Sequence, residues 1–204
     1  MKRVLTHLIL SPLLIAVVAA ALLAQENPPV PSPTMKVGDF LEFKQRSGAR
    51  SRTEIVELLP NGLHAQSRDR FPGVRFIRDD NLTTIRIDGD FKGDAGGIVG
   101  WAFLNFPMHV GKRYSFNVVG AERIPFSVDM HVAALEDLRT EAGNLRSFRL
   151  DSCWKNNTSG QRDCGMTYWY APTAKAIVKR ETPVGWPKFL RDGDFEIVRA
   201  NVVE

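Results

Sequence analysis

Residues 126–134 read Phe-Ser-Val-Asp-Met-His-Val-Ala-Ala, and this stretch decides the fold class. Its bulky apolar residues, Phe126, Val128, Met130 and Val132, occupy every second position. A two-residue period is typical of a half-buried β-strand, whereas an amphipathic helix repeats every 3.6 residues. The stretch therefore predicts a strand that turns one face toward a core.

The same period recurs along most of the chain. Further strands are predicted at residues 41–43, 54–59, 63–67, 76–78, 83–87, 114–118, 145–153, 166–170, 176–179 and 195–203. Gly, Pro, Asn or Asp separates nearly all of them, and many short strands at such spacing indicate an antiparallel all-β protein. We expect a single antiparallel curved sheet, a barrel or half-barrel, with at most one short helix.

Turn-forming residues and one helix candidate refine this expectation. Pro60-Asn61-Gly62 predicts a tight hairpin, because Asn and Gly tolerate positive φ. Residues 135–142, followed by Gly143, are the best helix candidate, although an extended strand and loop fits them as well. The glycine-rich residues 93–100 predict a flexible loop.

The N-terminus has the order of residues found in a secretory signal peptide. Lys2 and Arg3 precede an apolar run, and small residues lead to a predicted cleavage site after Ala24. An uncleaved membrane anchor is the alternative, since the run approaches the roughly 20 residues that cross a bilayer. Gln25, in place of a cysteine, excludes a lipid anchor at the new N-terminus. We expect a periplasmic or secreted bacterial protein with no integral membrane segment after cleavage of residues 1–24.

The rest of the chain divides into a tether and a domain. Residues 25–36 contain four prolines and are predicted to be a disordered, solvated tether. Residues 37–204 are enough for a single β-rich domain with its own core.

The charge of the mature chain is nearly balanced. Loss of Lys2 and Arg3 from the 27 basic residues leaves 25 against 23 acidic ones, a net charge of +2. The basic residues alternate with acids, as in Arg68-Asp69-Arg70, and do not form the stripe typical of nucleic-acid-binding proteins. We interpret that segment as a solvated strand face and expect no nucleic-acid partner.

The two cysteines flank a polar, turn-forming stretch at residues 156–160. In an oxidising compartment, Cys153 and Cys164 are predicted to form a structural disulfide across the ends of a hairpin. Closing a loop of roughly 12 residues stabilises a protein by about 3 kcal/mol in the chain-entropy model. The alternatives are a redox pair, which usually has C-x-x-C spacing, and a metal site, which needs further ligands.

Catalytic and metal-binding motifs are incomplete in this sequence. Residues 88–99 begin like a calcium loop, but Lys92 replaces an oxygen ligand and Val99 replaces the final glutamate. The sequence contains neither a G-x-S-x-G nucleophile turn nor a glycine motif for phosphate. None of the histidines after residue 24 has zinc-site spacing: His64, His109 and His131. We therefore assign no catalytic residue, no metal and no cofactor, and we expect a protein that is not an enzyme.

Aromatic residues form the candidate ligand site: Trp101, Trp154, Tyr168, Trp169 and Tyr170. In a strand, Tyr168 and Tyr170 face one way and Trp169 faces the other, so an aromatic ring points out of the core unless both faces are covered. A stacking or apolar ligand site in a concave sheet or barrel mouth is the functional interpretation. The alternative is that these residues fill the core, because aromatics favour strands.

Three motifs in the C-terminal half carry a resemblance. They are Gly-Lys-Arg-Tyr at 111–114, the strand at 139–148, and Tyr-Trp-Tyr-Ala-Pro at 168–172 leading to Val-Lys-Arg-Glu at 178–181. Over roughly residues 100–182 the chain resembles a family of exported bacterial proteins of unknown function with a W-Y-A-P…V-K strand motif. The resemblance implies a β-rich periplasmic half-barrel, similar in character to periplasmic lipoprotein carriers, and implies no reaction. Independently, Pro172 is expected to end its strand, because proline cannot donate to a sheet ladder.

Three functional hypotheses follow. The first is a binding or scaffold protein whose apolar, aromatic concavity holds a lipid, a hydrophobic peptide or a glycan. The second is a hydrolase of cell-envelope material that uses Asp, Glu and His brought together by the fold. The third is an accessory subunit that docks on an envelope protein through an exposed sheet edge. An open cavity lined by Trp101, Trp154 or Trp169 would favour the first.

Overall fold

The computed structural model describes residues 28–93, 98–120, 123–186 and 191–202. Its strands are β1 (Phe40–Gln45), β2 (Arg50–Leu58), β3 (His64–Arg68), β4 (Arg75–Arg78), β5 (Thr84–Asp88), β6 (Arg113–Val119), β7 (Pro125–Thr140), β8 (Gly143–Asn156), β9 (Arg162–Ala171), β10 (Ala176–Glu181) and β11 (Phe195–Asn201). A short 3-10 helix, Pro172–Ala174, follows β9, so Pro172 ends the strand as expected. The protein is all-β, which confirms the predicted class.

The eleven strands of these described ranges form one antiparallel sheet in the order β5-β4-β3-β2-β1-β11-β10-β9-β8-β7-β6. Strands β1–β5 make one meander and β6–β11 make another. Pairing of β1 with β11, from Phe40 opposite Asn201 to Gln45 opposite Phe195, joins the two. Because β5 and β6 lie at opposite ends of the order, the sheet is open, and the closed-barrel form of the prediction does not occur.

The hairpin between β2 and β3 forms where the sequence predicts it. Asn61 and Gly62 have φ values of 60° and 75°. Two successive residues with positive φ give a tight turn whose twist matches that of the flanking strands. The local residue types therefore determine this connection.

A β-bulge explains why the apolar alternation of β2 is interrupted at Glu57. Ile55 pairs with Gln66 and Glu57 pairs with Ala65, so Val56 is an extra residue on β2. Such an insertion moves the following side chains to the other face and bends the strand. Register shifts leave one further extra residue on each of three other strands, namely Ala133 on β7, Val178 on β10 and Val198 on β11.

The described part of the chain between β5 and β6, residues 89–93 and 98–112, forms a covering loop over one face of the sheet. Leu104 and Met108 in this connection are only 1% and 0% exposed. Trp101, Phe103 and Phe106 pack against the same core cluster, which also contains the inward-facing apolar residues of β7. The main core thus lies between the sheet and this covering loop.

The segment predicted to be a tether contacts the domain at Val30 and Met35, which both pack against the main core cluster. Val30 and Met108 exchange two backbone hydrogen bonds of 2.7 Å each. Residues 25–36 are therefore not solvated throughout. The prediction missed this because the partner residue lies far away in sequence.

A second, smaller cluster covers the other face of β9. Trp169 and Val178 are buried in it, and Leu138 and Leu145 pack against it from the β7–β8 hairpin. Both faces of β9 are consequently covered, so all three aromatic residues at 168–170 are buried.

The helical interpretation of residues 135–142 is wrong, and the alternative of an extended strand and loop is confirmed. Strand β7 continues to Thr140, and Leu138 pairs with Leu145 on β8. Backbone pairing with β8, together with packing of both leucines on the second cluster, outweighs the local helical pattern.

Parts of two predictions lie outside the described residues. The signal peptide at 1–24 falls entirely within residues 1–27, and the glycine-rich loop at 93–100 is described only at 93 and 98–100. In the part of the chain that is described, no helix is long and apolar enough to cross a membrane.

Candidate functional site: a cavity beneath the covering loop

A cavity of about 380 Å³ lies between the sheet and the covering loop. Residues of β1–β5 line one part of it, and residues of β9–β11 line another. Ile55, Leu104 and Tyr168 supply apolar wall from β2, the loop and β9, and each is at most 3% exposed. Because strands from both meanders and the loop meet here, only the folded sheet creates this space.

Two of the five predicted aromatic residues line the cavity, namely Trp101 and Tyr168. Phe103, another lining residue, connects them: its ring centroid is 5.6 Å from that of Trp101 and 4.6 Å from that of Tyr168. The Tyr168 hydroxyl lies 2.8 Å from Met166 Sδ, and burial raises the pKa of this phenol. Tyr168 is therefore a neutral wall residue.

Trp154 and Tyr170 contribute packing next to the cavity without lining it. Trp154 lies 5.3 Å from Trp101, ring centroid to ring centroid, and donates a hydrogen bond to Ser152 Oγ. Tyr170 is fully buried, with Phe106 at 5.3 Å. These two residues fill the main core, as the alternative interpretation of the aromatics predicts.

Trp169 belongs to the opposite face of the sheet. Its indole Nε1 donates to Glu136 Oε1 at 2.8 Å, and Lys179 Nζ lies 5.2 Å from the ring centroid. Neighbouring residues of a strand point to opposite faces, so Trp169 is separated from Tyr168 and Tyr170. The five predicted residues therefore do not form a single site.

The cavity also contains arginine side chains that the sequence analysis did not identify. Arg68 and Arg78 line it from β3 and β4. Burial lowers the pKa of Arg68 to about 10. Burial, and next the charge of Arg68, lower the pKa of Arg78 to about 9. The interpretation of Arg68-Asp69-Arg70 as a solvated strand face is wrong for Arg68, whereas Asp69 and Arg70 are exposed.

A weak sequence signal for these arginines did exist on β4. Phe76 and Arg78 are two residues apart and must share a face, and Phe76 is fully buried. On β3 no such signal is present, because His64, Gln66 and Arg68 put polar residues on the inward face. Apolar alternation cannot reveal a strand whose buried face is polar.

Acidic and histidine side chains do not converge on the cavity. Its described lining residues include one carboxylate, Asp39, which accepts a hydrogen bond from Lys175 Nζ at 2.9 Å, and no histidine. Among the described residues, no group of three His, Cys, Asp or Glu side chains could hold a metal ion. Asp88, the first residue of the incomplete calcium loop, instead binds Arg86 at 2.7 Å and Arg75 at 3.3 Å.

Cys153 and Cys164 form a disulfide, as predicted. They face each other in the register of β8 and β9, across the turn at residues 157–160. Neither cysteine lines the cavity. The bond therefore closes a peripheral hairpin.

Comparisons with known proteins give structural likenesses only. No protein-family model and no curated protein sequence matches the chain. The fold is similar to that of the hypothetical lipoprotein YmcC from Escherichia coli, with 9% identity, a TM-score of 0.46, and coverage of 90% of this chain and 97% of that one. It is also similar to a candidate lipoprotein from Parabacteroides distasonis, with 11% identity, a TM-score of 0.42, and coverage of 86% and 100%. The W-Y-A-P…V-K motif stays a prediction.

Proposed function

We propose that this protein is an exported binding protein of the bacterial envelope that holds a small apolar or amphiphilic molecule in the cavity. The cavity itself is the observation that carries the proposal. Its volume of about 380 Å³ lies within the range of roughly 300–1,000 Å³ typical of small-molecule sites. Apolar side chains make up most of its wall, as is usual for such sites, and polar and charged side chains make up the rest.

The size of the cavity favours some of the predicted ligands over others. A volume near the lower end of the range suits one acyl chain or a compact apolar molecule. A folded peptide segment or an oligosaccharide needs more room. Of the lipid, peptide and glycan ligands considered from sequence, we propose the lipid type.

Export is supported by two features of the chain. Residues 1–24 have the pattern of a signal peptide, and the Cys153–Cys164 disulfide suits an oxidising compartment. A binding protein in that compartment would meet envelope lipids and their breakdown products.

Fluorescence of the neutral probe N-phenyl-1-naphthylamine tests the proposal. The protein, purified from the periplasm and delipidated on a hydrophobic resin, should give saturable enhancement with one probe per chain. Dodecanol should displace the probe. A linear, non-saturating response equal to that of an unrelated periplasmic protein would contradict the proposal.

A matched pair of alanine substitutions locates the bound probe. Ala176 lines the cavity from β10, so Ala176→Leu should fill part of it and weaken binding several-fold. Ala200 is an exposed residue of β11 outside the cavity, so Ala200→Leu should leave binding unchanged. Equal effects of the two substitutions would place the probe elsewhere.

An accessory-subunit role is a second candidate, and the open sheet favours it. Strand β6 ends the sheet, and no other strand of the described residues pairs with its outer edge. Such an edge can accept a strand from another protein. Co-purification of one stoichiometric envelope protein, lost on Ser115→Pro within β6, would support this candidate, and recovery of the protein alone would count against it.

A further inference from the structure

The described lining of the cavity carries an excess of positive charge. It includes five basic residues, Arg68, Arg70, Arg78, Lys175 and Arg180, and only one acidic residue, Asp39. Lys175 pairs with Asp39 at 2.9 Å, and Arg180 pairs with Asp194 at 3.4 Å. These two cations are therefore balanced.

The other three arginines form no ion pair with any carboxylate of the described residues. Arg70 is exposed, so water can solvate its charge. Arg68 and Arg78 are partly buried, and water compensates their charge less well. The charge of Asp79, the next residue in the chain, offsets part of the charge of Arg78. The least compensated positive charge of the cavity is therefore on these two residues.

The Arg68 and Arg78 side chains approach each other across the Phe76 ring. Strands β3 and β4 are antiparallel, with Gln66 opposite Phe76 and His64 opposite Arg78, so the backbones of Arg68 and Arg78 lie on opposite sides of the Gln66–Phe76 pair. Phe76 and Arg78 share a face of β4. The Arg68 guanidinium stacks 4.1 Å from the centroid of the Phe76 ring. The repulsion that Arg68 exerts on Arg78, which contributes to lowering the pKa of Arg78, agrees with this proximity.

Their hydrogen-bonding capacity is largely unused. The buried Nε of Arg68 has no hydrogen-bond partner. Arg78 Nε reaches Thr84 Oγ1 only at 3.4 Å, a long contact for a charged donor. A guanidinium presents five donors in a planar fork that matches the oxygens of a carboxylate or phosphate. Two such forks beside the apolar part of the cavity wall are complementary to one anionic group.

We propose that Arg68 and Arg78 bind the anionic head group, carboxylate or phosphate, of a single-chain amphiphile whose apolar chain occupies the cavity. This inference rests on the proposed binding function and adds the chemistry of the ligand. The anion neutralises the repulsion between the two arginines and accepts their free donors. The apolar walls formed by Ile55, Leu104 and Tyr168 receive the chain.

Ligands that have the same alkyl chain length but different head groups test the inference. Dodecanoate, dodecyl phosphate and dodecanol, all below their micellar concentrations at pH 7.5, compete with N-phenyl-1-naphthylamine. The two anions should bind tighter than dodecanol by on the order of tenfold to a hundredfold, the range expected for hydrogen bonds to charged groups. Their relative affinities distinguish a carboxylate from a phosphate preference.

Arginine substitutions then test whether Arg68 and Arg78 cause the preference for anionic head groups. In Arg68→Gln and Arg78→Gln the advantage of the anions should fall to a few-fold or less, while dodecanol binds as before. Binding of dodecanol also shows that each variant is folded. Arg113→Gln, on an exposed position of β6 outside the cavity, should behave like the wild type. Arg68→Lys, which retains the charge, should retain part of the preference.

The outcomes separate this inference from the proposed function. If neither the probe nor dodecanol binds, the proposed function is wrong. If dodecanol binds as tightly as both anions, or if the preference survives in Arg68→Gln and Arg78→Gln, the cavity binds apolar molecules and the role of the arginines is refuted.

Discussion

His64 and Arg78 face each other across β3 and β4, and the His64 side chain is only 2% exposed. Burial, and next the positive charge of Arg78, lower the pKa of this imidazole from 6.5 to about 4. Its Nε2 atom is buried without a hydrogen-bond partner. The neutral ring therefore lies opposite a cation whose charge would oppose its protonation.

The first prediction concerns acid stability. Because His64 binds a proton less readily when folded, the unfolded state takes up the proton first as the pH falls below 6.5. The stability that the neutral His64 side chain contributes is fully present above pH 6.5. As the pH falls toward 4, the free energy of unfolding should decrease progressively by about 2–3 kcal/mol. Urea unfolding at pH 7.5 and 4.5 should show a smaller loss for His64→Gln than for the wild type, whereas His109→Gln, at an exposed position, should keep the wild-type loss.

The second prediction concerns the stability cost of an uncompensated cation. Arg78→Met retains apolar contacts and removes a desolvated charge, so it should raise the free energy of unfolding of the unliganded protein by about 1–2 kcal/mol. Arg113→Met, at an exposed position, should change it by less than about 0.5 kcal/mol. Chemical denaturation of both variants provides the measurement, and a clear loss of stability in Arg78→Met would show that Arg78 has a structural role.

The third prediction separates two of the three tryptophans that were proposed from sequence as ligand contacts. Trp101→Phe changes a cavity wall and should weaken binding of N-phenyl-1-naphthylamine several-fold. Trp169→Phe should leave binding unchanged, yet lose about 1 kcal/mol of stability because it removes the hydrogen bond to Glu136. Probe titration and urea unfolding of the same two samples check both expectations, and reversed effects would assign the ligand to the other face of β9.

The fourth prediction concerns the disulfide. The double substitution Cys153→Ser/Cys164→Ser opens a cross-link that spans 11 positions of the chain. It should lower the free energy of unfolding by about 3 kcal/mol through the entropy of the unfolded state. Because neither cysteine lines the cavity, the folded variant should bind the probe with wild-type affinity. The wild type in reducing agent provides the matched control for stability, and a large loss of affinity would show that the hairpin positions the cavity wall.

Local patterns in the sequence were sufficient for the strands and for two connections. The alternation at residues 126–134, the positive φ of Asn61 and Gly62, and the end of β9 before Pro172 all follow from steric and solvation preferences of a few adjacent residues. The disulfide between Cys153 and Cys164 could also be predicted from sequence, because each cysteine has only one possible partner. The strand predicted at residues 126–134 was too short, because residues 135–140 have a local helical pattern. Their pairing with β8 outweighs that pattern and extends β7.

Local sequence patterns could predict only part of the candidate site. Trp101 and Tyr168 were identified as aromatic residues, but sequence could not say that the loop carrying Trp101 returns over the sheet. Arg68 gave no signal at all, because it lies on a strand whose inward face is polar.

By itself, the sequence determined an all-β chain with one disulfide, and it predicts export through residues 1–24. Only the tertiary structure decided that the sheet stays open, that the covering loop leaves a cavity of about 380 Å³, and that Arg68 and Arg78 both line it. The physical reason is the sequence separation of the residues that interact. Alternation and turn chemistry act between neighbours, whereas a cavity and its charge depend on strands that pair across the whole length of the chain.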